Sequence, residues 1–194
     1  MKKSLGATIH AMPSPVWVVG SYGNKGEANM MTAAWGGICC SSPPCIAISL
    51  QKSRLTYANI LEHNAFTISI PSQGYAMEAD YIGIVSGKNT DKFSVTGLTP
   101  VKSDVVNAPY VKEFPIVIEC TLLHMLDIGL HTQFIGQIVD VKADEEVLGE
   151  KGVPAMDKVN PIICCASDRM YYALGEYLGR AYTLGLKLSE VKNS

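Results

Sequence analysis

Four apolar runs along the chain share one grammar: a proline, then a stretch rich in Val and Ile. They are PVWVVGSY (residues 15–22), PPCIAISL (43–50), FPIVIECTLLHM (114–125) and NPIICC (160–165). Proline is tolerated at the first residue of a strand, and β-branched side chains favour extended backbone. Each run therefore predicts a short strand. EANMMTAAW (27–35), AFTISIP (65–71) and TQFIGQIVDVKAD (132–144) predict three more. Between the first two strands, SYGNKGEAN (21–29) carries glycines on either side of Asn24 and Lys25 and predicts a hairpin turn.

Helical spacing occurs twice. In SRLTYANILEHN (53–64), Leu55, Ala58 and Leu61 form an apolar stripe behind a capping Ser53. In QGYAMEADYIGIVSG (73–87), Ala76, Ala79 and Ile82 or Gly83 recur before a terminal glycine. KSDVVNAPYVKEFP (102–115) reads as a surface loop. The tail from 175 mixes aromatics with glycines, suits packing on a neighbouring element or a partner chain, and is expected to fray after about 186. There is no internal repeat. Many short strands with few helices predict one domain over 1–194, mainly β, with a closed antiparallel sheet or barrel capped by helices.

Composition narrows the function. The chain has 194 residues, a formal net charge of −2, 47% hydrophobic and 18% charged residues. That balance excludes disorder and argues against a basic nucleic-acid groove or docking on anionic lipid. No apolar run is long enough to span a bilayer. The N-terminus begins with two lysines, but His10, Pro13 and Pro15 interrupt any apolar core, so it reads as mature sequence with a cytoplasmic location. Cys39, Cys40, Cys45, Cys120, Cys164 and Cys165 show no C-x-x-C and no zinc spacing. In a reducing compartment they read as reduced thiols of the core.

Four stretches can carry chemistry. NMMTAAWGG (29–37) sets one indole among small residues: either a strand and turn with a core Trp, or a slot for a flat ligand. In the second case Ala33, Ala34, Gly36 and Gly37 admit the backbone to a ring edge, and Asn29 and Thr32 supply neutral hydrogen-bonding groups. SLQKSRLTYANI (49–60) places Lys52, Arg54 and Thr56 where a strand gives way to a helix. That is a phosphate site or a solvated helix start. SGKNTDKFSVTGL (86–98) puts Lys88, Asp91 and Lys92 in a loop: either a solvated charged loop, or one in which Lys92 holds a phosphate or a polar ring edge. His131 stands at a turn entering a strand, between Gly129 and Gly136. No nucleophile elbow, dinucleotide fingerprint or phosphate loop is present.

These four pieces, in this order, resemble the flavin-reductase-like family, its flavoredoxin branch in particular, from about Leu5 to about Gly185. The resemblance implies an FMN-binding split β-barrel of Greek-key type, usually a homodimer. By motif position Asn29, Met31, Thr32 and Trp35 would line the flavin. Ser49, Lys52, Thr56 and Lys92 would hold the phosphate region or the nearby ring edge, and His131 would reach the cofactor from its turn. It further implies an FMN-dependent oxidoreductase that takes electrons from NAD(P)H or a reduced redox partner and passes them to a flavin or a protein acceptor. The cofactor carries the redox step, so no catalytic acid or base is required of the protein. The alternatives are a non-catalytic FMN-binding or electron-carrier module, and a thiol or metal redox protein built on Cys39, Cys40 and Cys45.

Overall fold

The runs opened by proline do form strands. In the computed structural model, which describes residues 1–186 and 188, the chain passes through β1 (Ser14–Pro15), β2 (Trp17–Tyr22), β3 (Ala28–Ala33), β4 (Gly36–Ser41) and β5 (Pro44–Gln51). Then come α1 (Leu55–His63), β6 (Ala65–Ile70), α2 (Ala76–Ile84) and α3 (Lys92–Thr96). They are followed by β7 (Pro100–Lys102), β8 (Pro109–Val111), β9 (Ile116–Ile128), β10 (His131–Ala143), α4 (Met156–Val159), β11 (Ile163–Cys165) and β12 (Met170–Tyr172).

Seven strands hydrogen-bond in the order β3-β2-β6-β9-β10-β5-β4, every pair antiparallel. β3 and β4 stand at opposite ends of that order, yet only Ala34 and Trp35 separate them in the chain. One continuous segment therefore leaves one edge of the sheet and joins the other. The amide of Ser49 donates to the carbonyl of Trp35 at 2.9 Å, which carries the β4–β5 ladder one rung into the crossing, and the continuous segment closes the sheet into a barrel. Crowding at the seam explains Gly36, though not Gly37, which has open space on its Cβ side. A Cβ on Gly36 would lie 2.5 Å from the Trp17 ring and 2.6 Å from the Ala47 carbonyl oxygen.

Alternation along the strands feeds two cores. Val19, Met31, Ile46, Ile48, Phe66 and Phe134 fill the barrel. Their neighbours Val18 and Met30 point the other way, against Ile82, Phe93, Val111 and Phe114 on the elements that cover the outside. Burial on both faces is why β2 and β3 read as unbroken apolar runs.

Several expectations are corrected. β4 was not predicted, because two glycines depress strand propensity. The stretch 102–115 is not a plain surface loop: it holds the β7–β8 hairpin, and Ala108, Val111 and Phe114 are buried. The first helix starts at Leu55, with Arg54 rather than Ser53 as its N-cap. The second begins as a 3-10 turn at Gln73–Tyr75 and stops at Ile84, short of Gly87. Only Cys45, Cys120 and Cys165 are buried, while Cys39 and Cys40 are exposed on β4. His124, within the apolar run 114–125, is exposed. His63 bonds the Gly23 carbonyl oxygen at 3.2 Å and Asn107 at 3.1 Å. The fraying expected after about 186 falls, apart from residue 188, outside the described residues.

Candidate functional site

Two recesses meet where the seam passes the start of α1, with Met31 and Arg54 in the walls of both. The first is a cavity of about 150 Å³ whose lining includes Thr32, Ala33, Ala34, Trp35, Ser49 and His131. Its shape follows from the crossing of β3 into β4, where short side chains leave backbone uncovered. Trp35 is 39% exposed and so is not the core Trp that the sequence left open. Its ring stands 4.7 Å from that of His131, centroid to centroid, tilted by 41°. His131 is the first residue of β10 and pairs with Gln51 of β5, which brings it to the same rim.

The second recess lies at the N-terminal end of α1 and is walled by Asn29, Leu55, Thr56, Val85, Ser86, Gly87 and Lys92. Arg54 caps the helix through its backbone alone: no side-chain cap bond is made, and no acidic residue lies in the first turn. The partial positive charge of the helix end is thus left without a protein anion. Lys92 opens α3, held there by Asp91, whose carboxylate accepts from the amide of Ser94 at 3.2 Å. Lys92 is 4% exposed as a whole residue, and its ammonium donates to the Ile82 carbonyl oxygen at 2.7 Å. Burial, and then the charge of Arg54, push its pKa down to about 8. Among the described residues no carboxylate forms an ion pair with it. A buried cation with only a carbonyl for company is chemically incomplete and fits an anion with several acceptor oxygens.

A buried polar network fixes this corner. Asn29 donates to Thr56 Oγ1 at 2.9 Å and to Ser21 Oγ at 3.2 Å, and Asn59 donates to the same serine at 3.1 Å. Gly87 makes room for it: a Cβ there would lie 2.1 Å from Asn29 Oδ1. Thr56 accepts from Asn29, so its own hydroxyl proton is free to point into the recess. Thr32 is different, since its hydroxyl already donates to the Ala79 carbonyl.

Of the nine residues singled out from sequence, Met31, Thr32, Trp35, Ser49 and His131 line the first cavity. Asn29, Thr56 and Lys92, with Met31 again, line the second recess. Lys52 is not brought in. Its ammonium pairs with Asp127 at 2.9 Å on the surface, drawn toward the β9–β10 turn. Arg54, two residues on and itself exposed, lines both recesses where Lys52 does not. Gly87 was also missed as a site residue, because a glycine after a helix reads as punctuation. A wider groove of about 600 Å³ adjoins the first cavity, shares Trp35, Ala34 and Ser49 with it, and has no charged residue in its lining among the described residues.

Known proteins bear on this arrangement. Residues 9–175 match the family described as "Flavin reductase like domain". The flavoredoxin of Desulfovibrio vulgaris (Miyazaki F) is 54% identical, superposes with a TM-score of 0.91, and the match covers 95% of this chain and all of that one. A flavoredoxin from Methanosarcina acetivorans is 29% identical with a TM-score of 0.87, over 97% and 98% of the two chains. A ferric-chelate reductase (NAD(P)H) of Archaeoglobus fulgidus is 31% identical over 111 residues, 56% of this chain and 64% of its own length. A structure described as a flavin reductase with a split barrel domain, from Shewanella frigidimarina, shares the fold at 22% identity. A match that takes in β1 to β12, and with them the seam and both recesses, places this chain in the flavin reductase like domain family.

Proposed function

We propose that this chain binds FMN across the two recesses and works as an electron-transferring oxidoreductase. The observation that carries the reading is Lys92: a nearly buried ammonium beside Arg54, at an uncapped helix end, one wall away from a cavity against an indole. A phosphate monoester supplies the anion that this corner lacks, and the small-residue cavity admits the edge of a flat ring. FMN joins those two parts in one molecule and supplies the reversible two-electron chemistry. Lys92, Arg54 and the Thr56 hydroxyl would hold the phosphate. Trp35, His131 and the backbone of 31–35 would hold the ring. Lys52 holds no part of it in this reading.

The donor is NAD(P)H or a reduced redox partner, and the acceptor is a flavin or a protein. One observation favours the carrier form of the reading, with a protein donor. Among the described residues, the groove beside Trp35 has no cation in its lining to hold the diphosphate of a nicotinamide dinucleotide. A homodimer fits the surface: Leu123, Met125, Leu126, Ile128 and Leu130, near the β9–β10 turn and beside His131, are 41–71% exposed.

The test is a spectrum of the purified protein, before and after anaerobic addition of NADPH or NADH. A yellow protein bleached by either is an NAD(P)H-dependent enzyme. A yellow protein that only a reduced partner or dithionite bleaches is a carrier. A protein that stays colourless after incubation with excess FMN and gel filtration overturns the FMN reading.

A further inference from the structure

Two thiols outside the site face each other across β4 and β5. The register pairs Cys40 with Cys45, and Ser41 with Pro44 next to the turn. Directly opposed residues of an antiparallel pair put their side chains on one face, with Cα atoms about 4.5–5.5 Å apart. That lies inside the window of about 4.4–6.8 Å that a disulfide tolerates. The choice of cysteine is set by a register shift. Ile38 pairs with Ile46, so an unbroken ladder would bring Cys39 opposite Cys45. A bulge between Ile38 and Cys40 adds one residue to β4 and delivers Cys40 instead. The two thiols differ in access: Cys40 is exposed, and its Sγ donates to the Ser42 carbonyl oxygen at 3.4 Å, while Cys45 is 3% exposed. Burial raises the Cys45 pKa, and the nearby Cys40 and Cys39 raise it further. Position on β5 adds a second point. The β5–β10 ladder runs unbroken from Gln51 to Cys45, so Cys45 shares a face with Ala47 and Ser49, both of which line the groove beside Trp35.

We propose that Cys40 and Cys45 form a reversible dithiol–disulfide pair beside the turn of the β4–β5 hairpin, oxidised by a small-molecule disulfide. Cys40, the accessible thiol, loses its proton to solvent and attacks one sulfur of R–S–S–R. A Cys40–S–S–R bond forms and RS⁻ leaves, taking a proton from water. Cys45 then loses its proton and attacks Cys40 Sγ, which expels the second RS⁻. Two protein thiols and one small disulfide become one protein disulfide and two small thiols, with two electrons transferred. The bond closes only the loop between residues 40 and 45, which the hairpin already closes. It therefore adds little to chain entropy and stays within reach of a thiol buffer.

The test uses the full chain as purified, with whatever cofactor it carries. It is equilibrated in mixtures of oxidised and reduced glutathione, quenched by iodoacetamide and weighed intact. The expected result is one internal disulfide per chain, present in Cys39→Ser and in the Cys164→Ser/Cys165→Ser double variant, and absent in Cys40→Ser and Cys45→Ala. Non-reducing electrophoresis should show no covalent dimer. Cys45 is buried and its variant can misfold, so the accessible Cys40→Ser carries the decision alone if needed. A bridge that survives Cys40→Ser, one lost in Cys39→Ser, an intermolecular bridge, or a stable glutathione adduct with no internal bridge overturns the proposal.

Discussion

In the proposed site, Lys92 would link stability and binding through one proton. Its folded pKa is about 8, against 10.5 for the free side chain. The unfolded chain thus holds this proton more tightly than the folded one. Between about 8 and 10.5 only the unfolded chain keeps it, so stability should rise with pH across that window. Below about 8 both states hold the proton, and the charged ammonium opposes folding by up to about 3 kcal/mol. Lys92→Met should make the cofactor-free protein more stable at pH 7, by about 1–2 kcal/mol after its bond to Ile82 is lost, and should flatten the rise. Urea titrations at pH 7 and pH 10 check both. The same substitution should weaken FMN about 10- to 100-fold, because a charged hydrogen bond contributes about 1.5–3 kcal/mol. Riboflavin, which lacks the phosphate, should bind both proteins alike in a fluorescence titration. An equal loss for the two flavins would move Lys92 away from the phosphate. Gly87→Ala tests the opposite wall. Its methyl group would land on Asn29 Oδ1 and push that side chain off Thr56, so stability should fall by about 1–3 kcal/mol in thermal melts.

At the scale of the element, α1 is the part most dependent on its neighbours. It has nine residues and no side-chain cap, and its first turn is held by Asn29 through Thr56. Thr56→Ala takes from the buried Asn29 amide one of its two acceptors and leaves it only Ser21. It should cost about 1–3 kcal/mol of stability and weaken FMN more than riboflavin, which denaturation and paired flavin titrations would show. Thr56→Ser keeps the hydroxyl and should retain affinity. This helix also shows where sequence stopped being informative. Its existence was legible from the spacing of Leu55, Ala58 and Leu61, but its buried face was not: Thr56, Asn59 and Ile60 are buried while Ala58 and Leu61 are exposed. The strands were legible from their Val and Ile runs. The choice between Lys52 and Arg54 was not, because it turns on an Asp127 that lies 75 residues further along the chain. Lys92 was legible as a candidate but not as a buried one. Only the packing of Phe93 and Ile82 in the outer core reveals that its stem is covered. β4 stayed invisible for a related reason: Gly36 lacks a side chain because Trp17, far away in sequence, occupies its space.

The barrel as a whole is closed by one segment, and that segment also builds the site. Residues 28–41 pair with β2 at one end and with β5 at the other, and the cavity opens where they cross between the two. Closure and ligand binding are therefore coupled through Trp35 and Ser49. Gly36→Val would drive a side chain into the Trp17 ring and the Ala47 carbonyl, so it should lower the melting temperature and release flavin together. The apolar end of the β9–β10 hairpin lies beside the same rim, because His131 opens β10 and touches the Trp35 ring. A second copy seated on Leu126, Ile128 and Leu130 would cover apolar surface and shield one side of the cavity from water. Leu126, 56% exposed in the single chain, is the residue to change. Leu126→Asp replaces an exposed apolar group with a charge, so the monomer should fold with its circular dichroism unaltered. In a dimer, the charge would be buried without a partner. Sedimentation velocity should find the parent chain near twice its monomer mass and the variant at the monomer mass, with weaker flavin binding in the variant. A variant that sediments like the parent places the contact elsewhere, and a monomeric variant with unchanged flavin affinity separates assembly from the site.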